Sequence, residues 1–175
     1  MALGSCGGSD DPGPAVAPPT PRENDAILLN RILDLELALG AAYDFGLPLL
    51  GGAAAREGQR VLEHERAHIR ALARTVRQLG GVPKRPRTAE DYRSQFPAPR
   101  NERDMLRFAV DLENEVIKSY RDSIPRLRLA GSRRLAGSIL ASDAQHASTL
   151  LGLLHPGDPA AQAPEAFVTG VESVS

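Results

Sequence analysis

A chain of 175 residues, 42% of them hydrophobic, is long enough to bury one sizeable core. Its 21 basic and 22 acidic residues leave a net charge of −1, which removes the electrostatic ground for expecting nucleic acid as a partner. Aromatic residues at 4% and the lack of Trp favour helices packed through Leu, Ala, Val and Ile over a β-sandwich; the single cysteine excludes an intramolecular disulfide, and no run of about 18 apolar residues is present to span a bilayer.

Residues 1–23 read as a disordered, Gly- and Pro-rich tether. Within it, Leu3-Gly4-Ser5-Cys6 resembles a bacterial lipobox, in which the cysteine becomes the acylated first residue of the mature protein. If a charged and apolar signal region precedes the given start, the expected location is extracytoplasmic, with lipid on Cys6 as the only hold on the membrane. Otherwise the expected location is cytoplasmic and Cys6 is an inert thiol.

Four long helical runs follow, in a domain expected over residues 24–155. The first opens at Asn24 or Asp25, either able to cap it, and runs to about Leu47, before Pro48 and Gly51-Gly52. The second goes from Ala53 to Leu79 and stops at Gly80-Gly81. Residues 80–100 carry four prolines and form a long crossover, with a short turn expected at Thr88–Tyr92. The third run opens after Pro99 with Asn101 as cap and Glu102 and Asp104 in its first turn, and ends near Pro125. The fourth starts near Ser132 and ends near Leu154, leaving residues 156–175 as a tail. Two tight helical hairpins joined by one long crossover predict an all-α, antiparallel four-helix bundle.

Each run has an apolar stripe at helical spacing, and a carboxylate interrupts each stripe: Glu36, Glu65, Glu113 and Asp143. In the second and fourth runs a histidine, His68 or His146, follows three residues later on the same face. A lone buried carboxylate costs several kcal/mol or stays protonated, and four converging ones repel one another. Two divalent cations remove both difficulties. The two imidazoles suit iron, manganese or zinc better than calcium or magnesium. The pattern also repeats: Glu36 precedes Glu65-x-x-His68 by 29 residues and Glu113 precedes Asp143-x-x-His146 by 30, while Tyr43 and Tyr120 each lie seven residues after the first carboxylate. A duplicated hairpin would produce this symmetry. Seven residues span about 10 Å along a helix, so Tyr43 and Tyr120 are expected to pack in the core or stand behind the ligands.

This set resembles the ligands of the ferritin-like superfamily of di-iron carboxylate bundles. Leu62-Glu-His-Glu-Arg-Ala-His-Ile, Asp111-Leu-Glu-Asn-Glu-Val-Ile-Lys-Ser-Tyr120 and Ile139-Leu-Ala-Ser-Asp-Ala-Gln-His146 are similar to segments of its bacterial ferritin-like domain family, which includes desiccation-related proteins. The resemblance covers residues 25–155. It implies two metal ions, iron first among them, held by Glu36, Glu65, His68, Glu113, Asp143 and His146, with ferroxidase or peroxide- and oxygen-reducing activity. The runner-up is a non-catalytic surface lipoprotein with a binding or stress-protection role. Asp143 stands where the superfamily usually has Glu; one methylene shorter, it is expected to reach one metal only, or to act through water.

Three competing readings are weaker. His64-Glu-Arg-Ala-His68 matches the H-E-x-x-H zinc protease motif, but the Gly and third His of the extended motif are missing, and His64 is expected at the edge of the bundle. Glu115 and Glu63 point away from their stripes. Leu28, Leu35 and Leu37 give the first helix an apolar second side, the expected contact of a homodimer.

Overall fold

The computed structural model describes residues 17–163; Cys6 and the lipobox-like segment lie outside them. The described residues form α1 (Pro21–Gly46), α2 (Gly52–Gln78), α3 (Ala89–Gln95), α4 (Glu102–Ser123) and α5 (Ala130–Leu154), with no strand among them. The four long helices are the expected ones, and α3 replaces the short turn.

The first helix starts three residues inside the expected tether. Thr20 caps it: its hydroxyl receives the Glu23 amide, the Glu23 carboxylate receives the Thr20 amide at 2.8 Å, and Pro21 occupies the first helical position. Asn24 and Asp25, the expected caps, therefore sit inside α1. Asp25 caps a different helix. Fully buried, it accepts the amides of Arg128 at 2.8 Å and Leu129 at 2.9 Å, just where α5 begins without a capping side chain of its own. This distant carboxylate faces the positive end of the α5 dipole and lets α5 open at Ala130, two residues before the expected Ser132.

The α1–α2 turn is a 3-10 turn at Leu47–Leu49, and the Gly51 amide ties it to Glu102 at the start of α4, at 2.7 Å. The second helix ends in a Schellman turn: Gly80, at φ 91°, gives its amide to Arg77 and Gly81 reaches back to Val76. The crossover then lies along α1. Asn30 accepts the Lys84 amide at 2.6 Å and donates to the Val82 carbonyl at 2.8 Å, and Arg87 reaches Asp34 at 3.1 Å. Thr88 and Asp91 form a second capping box that starts α3; its buried Tyr92 stacks on Phe96, just past the helix, and Phe96 meets Phe45 and Phe108 edge-on.

Within the bundle α1 packs on α2, α4 on α5, α1 on α4 and α2 on α5. The two hairpins are antiparallel by their short turns. Asn24, near the start of α1, donates to the Arg126 carbonyl just past α4 at 3.0 Å, so α1 and α4 are antiparallel as well. At the other end Gly46 lies under the Met105 side chain, with no room for a Cβ. A continuous core of Leu, Ile, Val and Met side chains joins all four helices.

The expected second apolar side of α1 is largely used within the chain. Leu28 and Leu37 belong to the core; only Leu35, at 38% exposure, faces outward, with Ile27 beside it along the helix at 49%. The tail expected from residue 156 begins with a 3-10 turn, Pro159–Gln162, whose Gln162 lies against Gly152 of α5.

Candidate metal centre

All four stripe carboxylates, Glu36, Glu65, Glu113 and Asp143, are fully buried. One comes from each long helix, and the histidines from α2 and α5 converge with them. Their atoms form two overlapping clusters: Glu36, Glu65, His68 and Asp143 in one, and Glu65, Glu113, Asp143 and His146 in the other. In each cluster one atom per residue falls within 4.8 Å of all the rest. Glu65 and Asp143 belong to both. The expectation that Asp143 reaches one metal only, or acts through water, meets a side chain whose oxygens lie within reach of both clusters. Glu63 and Glu115 are exposed.

Both histidines turn Nδ1 inward. His68 Nδ1 lies 3.3 Å from Glu65, 3.4 Å from Asp143 and 3.8 Å from Glu36. His146 Nδ1 lies 3.0 Å from Glu65, 3.5 Å from Glu113 and 3.9 Å from Asp143. The orientation is common to both because each His sits three residues after its carboxylate on one helix face.

The tyrosines reach the centre after all. Tyr43 of α1 donates to Glu113 Oε1 at 2.9 Å, and Tyr120 of α4 donates to Glu36 Oε1 at 2.6 Å. Distance along a single helix misleads here. Helical side chains lean back toward the N-terminus, and the antiparallel partner carries its own carboxylate past the ring. Each hairpin's tyrosine therefore holds the other hairpin's carboxylate.

Without cations, the electrostatics are unbalanced. Burial first, then the charges of Glu36, Glu113 and Glu65, push Asp143 up to about 12. Burial and the Glu65 charge raise Glu36 to about 8, and burial raises Glu113 to about 7. Burial also works against Glu65, but hydrogen bonds with His146 and His68 outweigh it and hold that carboxyl at about 2. For His68 burial likewise opposes charge, yet Glu36 and Glu65 lift it to about 10; Glu113 and Glu65 lift His146 to about 9. Neither Asp143 oxygen receives a hydrogen bond, nor does Glu113 Oε2, though all are buried. Buried oxygens without donors are costly. Two divalent cations between these clusters would supply what is missing, so the donor set fits them: carboxylate oxygens on both, one imidazole nitrogen on each.

One residue near the centre escaped the sequence pattern. His64, half-buried at the side of the cluster, brings its Nδ1 to 3.0 Å from His146 Nε2, with the two rings tilted by 30° at a centroid distance of 5.2 Å. It joins neither cluster. The signal was its place one residue before Glu65, about 100° round the helix, which turns it toward α5.

A profile of the ferritin-like domain matches residues 24–156. The chain belongs to the ferritin-like domain family. A comparison with curated proteins finds no match. Two solved structures share the ferritin-like fold. One is a conserved hypothetical protein from Mycobacterium tuberculosis, 19% identical, with a TM-score of 0.67 over 75% of this chain and 97% of that one. The other is described as a ferritin-like, diiron-carboxylate protein from Bacillus anthracis, 21% identical, with a TM-score of 0.66 over 78% of this chain and 99% of that one. This ferritin-like domain carries a buried carboxylate and histidine cluster whose geometry could hold metal ions.

Proposed function

We propose that the chain binds two iron ions and reduces dioxygen or peroxide with their electrons, as a ferroxidase-type protein at the cell surface. The observation that carries the metal reading is the pair of overlapping clusters with donorless buried oxygens. Glu36 and His68 hold one ion, Glu113 and His146 the other, and Glu65 and Asp143 serve both. When bound, the iron pair supplies two electrons to the oxidant. The residues supply the rest. Tyr120 and Tyr43 anchor one oxygen each of Glu36 and Glu113, leaving the second oxygen of each directed by the ring hydroxyl's pull. The apolar stripes above and below keep water out and strengthen every charge interaction inside. The di-iron carboxylate neighbour supports iron over manganese or zinc. The lipobox-like Leu3-Gly4-Ser5-Cys6 supports a lipid anchor and an extracytoplasmic place.

Elemental analysis of protein purified without chelator tests the reading. The expected result is close to two iron ions per chain, lost in Glu65→Ala and His146→Ala. Chain without metal, whose thermal midpoint does not move when Fe(II) or Mn(II) is added, would sink it and leave the non-catalytic surface lipoprotein.

A further inference from the structure

The hairpin repeat is broken at one place that matters. Glu36 corresponds to Glu113, Glu65 to Asp143, and His68 to His146. By the same register His64 corresponds to Ser142, the residues one before each shared carboxylate. His64 is long enough to cross to α5 and meet His146 Nε2 at 3.0 Å. Ser142 is too short to make the reciprocal crossing, and instead lies 3.4 Å from the same nitrogen of His146 on its own helix. Both register partners therefore converge on His146. The outcome is unequal cover: the His146 side chain keeps 1% of its surface exposed, that of His68 12%.

A metal-binding histidine needs its second ring nitrogen engaged, because that bond fixes both the tautomer and the plane of the ring. His146 turns Nδ1 to the carboxylates and Nε2 to His64. With Nε2–H donated to His64 Nδ1, the Nδ1 lone pair of His146 is left for a cation. A neutral His64 can accept that proton bond.

We infer that His64 is a positioning residue for the metal position built on Glu113 and His146, and that it makes the two positions of this centre inequivalent. The position backed by His64 is the tighter one and fills first; the one at His68 fills second. The inference rests on the metal-binding reading above, and the test separates the two.

The experiment is an anaerobic Fe(II) titration of metal-free protein, followed by calorimetry, for the wild type, His64→Phe and His64→Asn. Phe keeps the ring and its cover but accepts no hydrogen bond; the Asn amide oxygen can take the place of Nδ1. The expected wild-type result is two binding steps of different affinity. In His64→Phe the tighter step weakens by about 10- to 100-fold, the range usual for loss of such a supporting bond, while the weaker step stays. His64→Asn recovers most of the loss. Should His64→Phe fail to fold, as read by circular dichroism of the metal-free protein, the double variant His64→Ala, Ser142→Ala carries the same expectation. Unchanged steps in the variants, or an equal loss in both steps, would overturn the inference while leaving the metal centre standing. A wild type that takes up no Fe(II) overturns the metal-binding reading itself.

Discussion

Tyr120 and Glu36 are 84 residues apart in the chain and 2.6 Å apart in the bundle, hydroxyl to carboxylate. Tyr43 and Glu113 repeat the relationship from the opposite side at 2.9 Å. These crossed bonds each cost a hydroxyl its water, and they return orientation to a ligand. Tyr120→Phe should therefore weaken Fe(II) binding by about 10-fold, in keeping with roughly 1–2 kcal/mol for a buried bond to a charged group. Tyr43→Phe should act likewise on the other position. Titration of the single and double variants would show two additive losses; equal binding in all three proteins would mean the phenols only pack.

Metal uptake should release protons. In the metal-free chain His68 and His146 are lifted to about 10 and about 9, Asp143 to about 12 and Glu36 to about 8, so all four hold protons at neutral pH. A cation binds only their deprotonated forms. The sign follows: loading at pH 7 releases about four protons per chain, and apparent affinity rises as pH climbs from 6 toward 9. A weakly buffered titration with an indicator dye measures the release. Uptake with no proton release contradicts these assignments.

Asp143→Asn should separate stability from binding. The side chain is buried, receives no hydrogen bond and faces three other carboxylates. At neutral pH its raised carboxyl already holds a proton in the metal-free domain, so a neutral amide of the same shape should leave metal-free stability within about 1 kcal/mol of the wild type. The rise in thermal midpoint that Fe(II) gives the wild type should shrink sharply, since one ligand common to both clusters is gone. Scanning calorimetry with and without Fe(II) reads both effects. A metal-free variant less stable than the wild type by several kcal/mol would show that Asp143 holds the fold, not the metal.

Asp25 should matter most to acid stability away from the centre. Burial tends to raise its carboxyl, but the amides of Arg128 and Leu129, with Ser132 and Asn24, outweigh that and hold it below its ordinary 3.8. A folded value below the unfolded one contributes stability above the ordinary carboxylate range and loses it as pH falls through the folded value. Asp25→Ala should cost about 3 kcal/mol at pH 7, from two charge-assisted bonds, and much less near pH 2. Urea unfolding at both pH values checks it; an equal loss at each would assign the effect to packing.

How much of this was open to view in the residues depends on the distance of the contact. The six converging side chains were legible because each lies on its own helix stripe at a spacing that local geometry dictates. Helix ends set by nearby signals were also open: the Schellman turn at Gly80-Gly81 and the Asn101 cap stand where expected. The Thr20 and Thr88 capping boxes carry a local signature as well, Thr-x-x-Glu and Thr-x-x-Asp. Asp25 capping α5, Tyr120 reaching Glu36 and His64 reaching His146 are different in kind. Each depends on which helix lies opposite, and no spacing within one helix records that.

The crossed arrangement has a consequence for the chain as two halves. Up to the crossover, the first half owns Glu36, Glu65 and His68 but must borrow Asp143; the second owns Glu113, Asp143 and His146 but must borrow Glu65. Each also lends a phenol to its sibling. Severed in the crossover, neither fragment could seat an ion in full, so reunion of the fragments and capture of the ions would be one event rather than two.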